Sequence, residues 1–124
     1  MILNIFKEQD INILMLRAKE YFKNYGISDV KVIELTTIIS ELGYNIVKYT
    51  RKGTIEFNIN NQYITIIAAD KGDGIEDITN SICEGYSSSG TLGLGLNAIV
   101  RLSDEFDIQT SKNGTTITVK KVIK

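Results

Sequence analysis

Along the chain, apolar residues change their period once, near the middle. Ile2 to Phe6 alternates apolar with polar positions and predicts a short strand. From Asp10 onward, Ile11, Leu14, Met15, Ala18, Tyr21 and Phe22 recur at helical spacing, with Asp10 placed to cap the helix and Gly26 to stop it. Ser28 is placed to cap a second helix that turns Val32, Leu35, Ile39, Leu42, Ile46 and Tyr49 inward and ends near Gly53. Period two then takes over. Thr54 to Ile59 and Tyr63 to Ala69 predict two strands joined by a hairpin at Asn60-Asn61. An acidic, glycine-bearing loop starts at Asp70, followed by a short helical segment from Ile78 to Glu84 and a Ser/Gly loop from Gly85 to Leu92. A helix from about Leu94 to Leu102, a strand from Glu105 to Thr110, a turn at Asn113-Gly114 and a strand from Thr115 to Ile123 complete the series. Helices first, then a meander of strands with one helix inserted, predict an α+β fold with helices on one face of a mostly antiparallel sheet.

Composition narrows the chemistry. The 124 residues fit one domain, and 43% hydrophobic with 23% charged residues is ordinary for a soluble globular protein. Fourteen basic against 15 acidic residues leave a formal charge of −1, without the basic footprint that nucleic-acid binding usually shows. There is no histidine, which excludes Ser-His and Cys-His pairs, imidazole bases, histidine-ligated zinc and a phosphohistidine. Acid–base work must fall to Asp, Glu, Lys or Tyr. The single cysteine, Cys83, has no partner for an internal disulfide and reads as a small buried hydrophobe in a reducing cytosol. The segment MILNIFKEQD lacks the pattern of a signal peptide, and no apolar run approaches the ~20 residues that span a bilayer. A cytoplasmic protein without membrane or nucleic-acid partners is expected.

Three constellations could carry chemistry. On the second helix Glu41 and Asn45 lie four residues apart and share a face, with Thr37 before them and Lys48 after. They read either as a solvated face or as an amide oxygen for a hard cation such as Mg²⁺ beside a carboxylate that polarises a hydroxyl. Asp70-Lys71-Gly72-Asp73-Gly74-Ile75 follows an apolar strand. It reads either as a polar turn or as an acid that accepts from an exocyclic amine, with glycines that let the backbone approach a flat ligand. An EF-hand loop is excluded by its missing ligand spacing and closing Glu. Ser87 to Leu96, with Gly90, Gly93 and Gly95, leads into a helix whose N-terminal N–H groups form an anion site. A Walker A loop is excluded because Thr91 stands where its lysine belongs, and a dinucleotide fingerprint because no strand precedes the glycines.

Taken in this order, the motifs resemble the GHKL superfamily of ATP-binding domains, the Bergerat fold shared by gyrase, heat-shock protein 90, MutL and histidine kinases. Ser40-Glu41-Leu42-Gly43-Tyr44-Asn45-Ile46-Val47 looks like its N box, Asp70 to Ile75 like its G1 box and Gly93-Leu94-Gly95-Leu96 like its G2 box. The segment from Gly93 to Phe106 is most like the RsbT group of small bacterial switch kinases, and the RsbW and SpoIIAB anti-sigma kinases share the boxes. The resemblance implies one ATP-binding kinase domain over 1–124, a two-layer α/β sandwich with a mixed, mostly antiparallel sheet. It implies that Glu41 is the general base and Asn45 the Mg²⁺ ligand, and that Asp70 accepts the adenine amino group with help from Gly74 and Thr115. Gly72, Ile75, Gly90, Gly93, Leu94, Gly95 and Leu96 complete the implied ATP site. The implied substrate is a serine or threonine of a STAS-domain antagonist protein. A PP2C-type phosphatase would then be the second partner, or a sigma factor in an anti-sigma kinase. A nucleotide-dependent binding module without phosphoryl transfer is the alternative, and a homodimer is compatible. A fragment of a larger ATPase machine is disfavoured, since no transducer segment or dimerisation helix pair is visible. Two departures stand out: Glu76 to Leu92, the implied lid, contains no Lys or Arg, and Asp73 replaces the proline common in the G1 box. Neutralisation of the phosphates then falls to Mg²⁺ and backbone dipoles, with Arg101 and Lys71 the nearest basic side chains.

Overall fold

The computed structural model describes residues 1–49, 52–60, 62–70, 92–111 and 114–123. In chain order they form β1 (Ile2–Ile5), α1 (Glu8–Asn24), α2 (Asp29–Tyr49), β2 (Gly53–Ile59), β3 (Tyr63–Asp70), α3 (Leu92–Leu102), β4 (Glu105–Ser111) and β5 (Gly114–Val122). The strands make one sheet in the order β1-β2-β3-β5-β4, and all four described pairings are antiparallel. The predicted α+β class and two-layer arrangement are therefore present, with the described sheet antiparallel throughout. The segment predicted as helical from Ile78 to Glu84, the loop from Gly85, and Cys83 lie outside the described residues.

Strand alternation sorts the sheet into two faces. Ile5 and Leu3 of β1, Ile55 and Phe57 of β2, Ile64 and Ile66 of β3, and Ile117 and Val119 of β5 face the helices and join one apolar cluster. Above them α1 contributes Ile11, Leu14, Ala18 and Phe22, α2 contributes Leu35, Ile38, Leu42 and Ile46, and α3 contributes Leu96 and Ile99. Phe22 and Tyr21 meet Phe57 with ring centroids 5.4 and 5.3 Å apart, seating α1 on β2. Burial, and then the neighbouring Tyr25 hydroxyl, raise the Tyr21 phenol above its ordinary 10.0. In the helical layer α2 is central, packed against both α1 and α3.

Three boundaries differ from the sequence expectation, each for a local reason. Helix α1 begins at Glu8 with Lys7 as its cap residue, not Asp10. Asp10 instead sits in the first turn and its carboxylate accepts from the N–H groups of Phe6 (2.9 Å) and Lys7 (3.1 Å), a reach back that starts the helix three residues earlier. Gly53 opens β2 rather than ending α2, because it pairs with Ile5 on one side and Asp70 on the other. Helix α3 starts at Leu92 rather than Leu94, which draws Gly93 and Gly95 into its first turn. The other punctuation is as expected. Gly26 takes φ +73° after α1, and Ser28 Oγ accepts from Lys31 N–H at the start of α2. Asn60 Oδ1 accepts from the N–H groups of Gln62 and Tyr63, closing the β2–β3 hairpin.

One charged side chain belongs to the core. Lys121, 4% exposed on the helix-facing side of β5, donates from Nζ to the Leu102 carbonyl (2.6 Å) and pairs with Glu34 of α2 (3.0 Å). It ties the C-terminal end of α3, where carbonyls lack helical partners, to the N-terminal third of α2.

Candidate active site

Helical periodicity decides which flank of α2 carries Glu41 and Asn45. Glu34, Glu41 and Asn45 follow at steps of seven and four, so they share a flank. Glu34 meets Lys121 and hence the end of α3, whereas Gly43 faces α1, where a Cβ would lie 3.1 Å from Ile11 Cγ1. Glu41 and Asn45 therefore lie, half-buried, on the flank turned away from α1 and toward α3. Helix α3 is anchored at Leu102 beside Glu34 and runs alongside α2. At 1.5 Å per residue, Gly93 is about 14 Å from Leu102 and Asn45 about 16 Å from Glu34. The start of α3 consequently comes level with Asn45. The first four N–H groups of α3, from Leu92 to Gly95, have no intrahelical acceptor, and no acidic residue occupies that turn. Such an end attracts anions.

Asp70 closes the third side. It is the last residue of β3, flanked by Gly53 of β2 and Thr115 of β5, all on the helix-facing side of the sheet. The Thr115 N–H donates to Asp70 Oδ1 at 3.3 Å, and the hydroxyls of Thr115 and Thr110 lie 2.8 Å apart. A Cβ on Gly53 would lie 3.0 Å from Ile46 of α2 and 2.6 Å from the Ala69 carbonyl. Helix α2 thus presses on the strand ends one residue beyond Asn45, bringing the N-box residues over the Asp70 corner.

Among the described residues, Asn45 Nδ2 is buried without a hydrogen-bond partner. The two ends of an asparagine amide exchange by a half turn, so either its nitrogen or its oxygen can occupy this position. Leaving it unsatisfied costs about 1–3 kcal/mol, so the side chain is poised for a ligand. Among the described residues no three His, Cys, Asp or Glu side chains gather, so a metal here fits Asn45 only in company with oxygens of a bound phosphate. A cleft of about 320 Å³ beside Asp70 is a neighbour of this site rather than part of it. Its walls include Asn4, Thr54 and Ala69, which register places on the outer face of the sheet.

Of the residues expected from sequence, Glu41, Asn45, Asp70, Thr115, Gly93 and Gly95 are brought to this corner. Leu96 is fully buried in the core, so only its backbone could reach a ligand, and the Leu94 side chain is outside the description. Gly72, Gly74, Ile75 and Gly90 lie outside the described residues, as does Lys71. Arg101 is exposed in the last turn of α3, at the end remote from Gly93. Thr110 and Gly53 are additions. Thr110 follows from the β4–β5 register, in which Ser111 pairs with Gly114 and Thr110 with Thr115; a turn centred on Asn113-Gly114 would set that pairing two residues out. Gly53 is signalled only by its place before a strand.

The motifs, the antiparallel sheet under three helices and this corner define a class. A family model for the histidine kinase-like ATPase domain matches residues 7–121, and the chain belongs to that family. It is 36% identical to the serine/threonine-protein kinase RsbT of Bacillus subtilis, over 97% of this chain and 94% of that one. It is 38% identical to an anti-sigma F factor of Clostridium novyi, over 56% of this chain and 52% of the relative. Among solved structures, the SiaB-SiaC complex of Pseudomonas aeruginosa shares the fold, with TM-score 0.74 and 16% identity over 99% of this chain and 88% of that one. The RsbU and RsbW domains of a Mycobacterium tuberculosis protein do likewise, with TM-score 0.71 and 15% identity over 98% of this chain and 32% of that one. The chain is a nucleotide-using serine/threonine kinase.

Proposed function

We propose that this corner transfers the γ-phosphoryl group of ATP to a serine or threonine of a STAS-domain antagonist protein. The modified antagonist then leaves, freeing this chain for a PP2C-type phosphatase. The observation that carries the reading is the buried Nδ2 of Asn45, without a partner among the described residues and one helical turn from Glu41. Asp70, steadied by the Thr115 N–H, accepts the adenine amino group. The N–H groups of α3 hold the phosphates, as a helix start does for any anion. Glu41 accepts the proton of the acceptor hydroxyl as its oxygen bonds to the γ-phosphorus. The bond from that phosphorus to the bridging oxygen breaks, and ADP leaves. A Mg²⁺ ion on the phosphates, held by Asn45, would supply charge neutralisation that the lysine- and arginine-free segment from Glu76 to Leu92 does not. Residues 1–124 act as one domain in this reading, and its place is the cytoplasm.

The similarity to an anti-sigma F factor favours a second reading, in which the released chain binds a sigma factor. Incubation with γ-labelled ATP, Mg²⁺ and purified STAS-domain proteins of the same genome tests the proposal. Label is expected on one serine or threonine of the STAS protein. Asp70→Asn should weaken ATP binding at least about tenfold, since the lost carboxylate removes a charge-assisted acceptor. Nucleotide binding without transfer to any partner would leave only a binding module, and normal ATP affinity in Asp70→Asn would remove that residue from the adenine contact.

A further inference from the structure

Helix α2 carries a second line of residues, opposite its core face. Val30, Ile33, Thr37, Glu41 and Tyr44 follow at steps of three, four, four and three, which places them along one outward stripe. Three of the five are large apolar side chains in water: Val30 is 67% exposed, Ile33 64% and Tyr44 44%. None of the three belongs to the core cluster that holds α2 to the sheet. The stripe is about 21 Å long at 1.5 Å per residue. Exposed apolar side chains that flank polar ones along one helix face fit a surface that a partner covers.

Glu41 lies on this stripe, one turn from Tyr44 and two turns from Ile33, with Thr37 between. Resting on the reading of Glu41 as the base for the acceptor hydroxyl, we infer that the outward face of α2 is the docking surface for the folded protein that presents the acceptor serine or threonine. A base must come within hydrogen-bond reach of the proton it takes. A serine side chain extends only a few ångströms from its own backbone, about 3 Å by ordinary bond lengths. The surface around the acceptor must therefore lie against the surface around Glu41, and on α2 that surface is Val30, Ile33, Thr37 and Tyr44. The partner matches it with an apolar patch beside its acceptor hydroxyl. Burying Ile33 and Tyr44 on either side of Glu41 also excludes water from the transfer, which strengthens every polar contact made there. Helix α1 exposes Ile13 (46%) and Leu16 (71%), on a different helix and off this line.

The test uses the wild-type chain, Ile33→Ser, Tyr44→Ser and, as a control, Leu16→Ser. The probe is a STAS-domain protein of the same genome with its acceptor serine replaced by alanine, so that the complex forms without turnover. Titration calorimetry in the presence of Mg²⁺ and a non-hydrolysable ATP analogue should show Ile33→Ser and Tyr44→Ser each binding this probe about tenfold more weakly. Analogue affinity should stay within about twofold in the same variants, and Leu16→Ser should match wild type, as a contact outside the interface does. In turnover with the native acceptor, the loss should appear in KM and not in kcat. Unchanged partner affinity in both α2 variants, or a loss confined to Leu16→Ser, overturns the inference. So does sedimentation showing that the α2 variants only dissociate a homodimer. Partner binding that depends on Ile33 and Tyr44 without phosphoryl transfer would sink the kinase assignment and uphold the surface. Transfer unaffected by either substitution would do the reverse.

Discussion

Asp70 shows how much a single position rests on its neighbours. Its carboxylate is oriented by the Thr115 N–H, Thr115 is paired with Thr110, and the strand end is held by Gly53. Gly53 is required there by space: a Cβ would stand 2.6 Å from the Ala69 carbonyl, and backbone cannot yield as a side-chain tip can. Gly53→Ala should cost about 1–3 kcal/mol in urea unfolding, the range for overpacking, and should weaken nucleotide binding by shifting Asp70. Wild-type stability in that variant would show that the strand pair relaxes freely. The shared helix face of Glu41 and Asn45 and the strand-end place of Asp70 were legible in the sequence, because helix spacing and strand-to-loop punctuation are local properties, while their roles came only from the resemblance. Gly53 and Thr110 were not, because a close approach between strands and a hairpin register are set by chain segments far apart.

Elements are positioned by one buried cation. Lys121 joins the last carbonyl of α3 to Glu34 of α2, and those two helices carry the N–H groups proposed for the phosphates and the N-box residues. Lys121→Met keeps the apolar stem, removes the ammonium, and leaves the Leu102 carbonyl without its donor. Glu34 keeps water on its exposed part, so the loss should be about 1–3 kcal/mol rather than the larger cost of stranding a fully buried charge. Chemical denaturation measures it, and a stability equal to wild type would mean that α3 is held by Leu96 and Ile99 alone. Lys121 gave no sign in the sequence, where it is one of several lysines in a strand of alternating pattern. Element ends were legible to within three residues except at Gly53. Where they shifted, the side chain had a second use: Asp10 reached backward to extend α1 instead of capping at its own position.

At the scale of the whole molecule, the change of period along the sequence is the plan of the fold. The helical half supplies the N box and its outward stripe. The strand half supplies Asp70, and the described helix between β3 and β4 supplies the start proposed to bind the phosphates. Two-layer packing brings the three to one corner without a histidine. A formally near-neutral chain of 124 residues can run phosphoryl transfer this way, since the chemistry asks mainly for position and charge neutralisation. The order of the layers could be read from the order of elements, while the placing of the end of α3 beside Glu34, through Lys121, could not. The central claim is that Glu41 acts on the acceptor at a nucleotide site made by Asn45, Asp70 and the start of α3. Its most direct measurement is single-turnover phosphoryl transfer from γ-labelled ATP to the STAS-domain acceptor, wild type against Glu41→Gln, with nucleotide affinity measured in parallel. The account predicts a rate at least about 100-fold lower in Glu41→Gln, the contribution of a positioned general base, with ATP affinity within about twofold of wild type. Transfer at the wild-type rate by Glu41→Gln would contradict it.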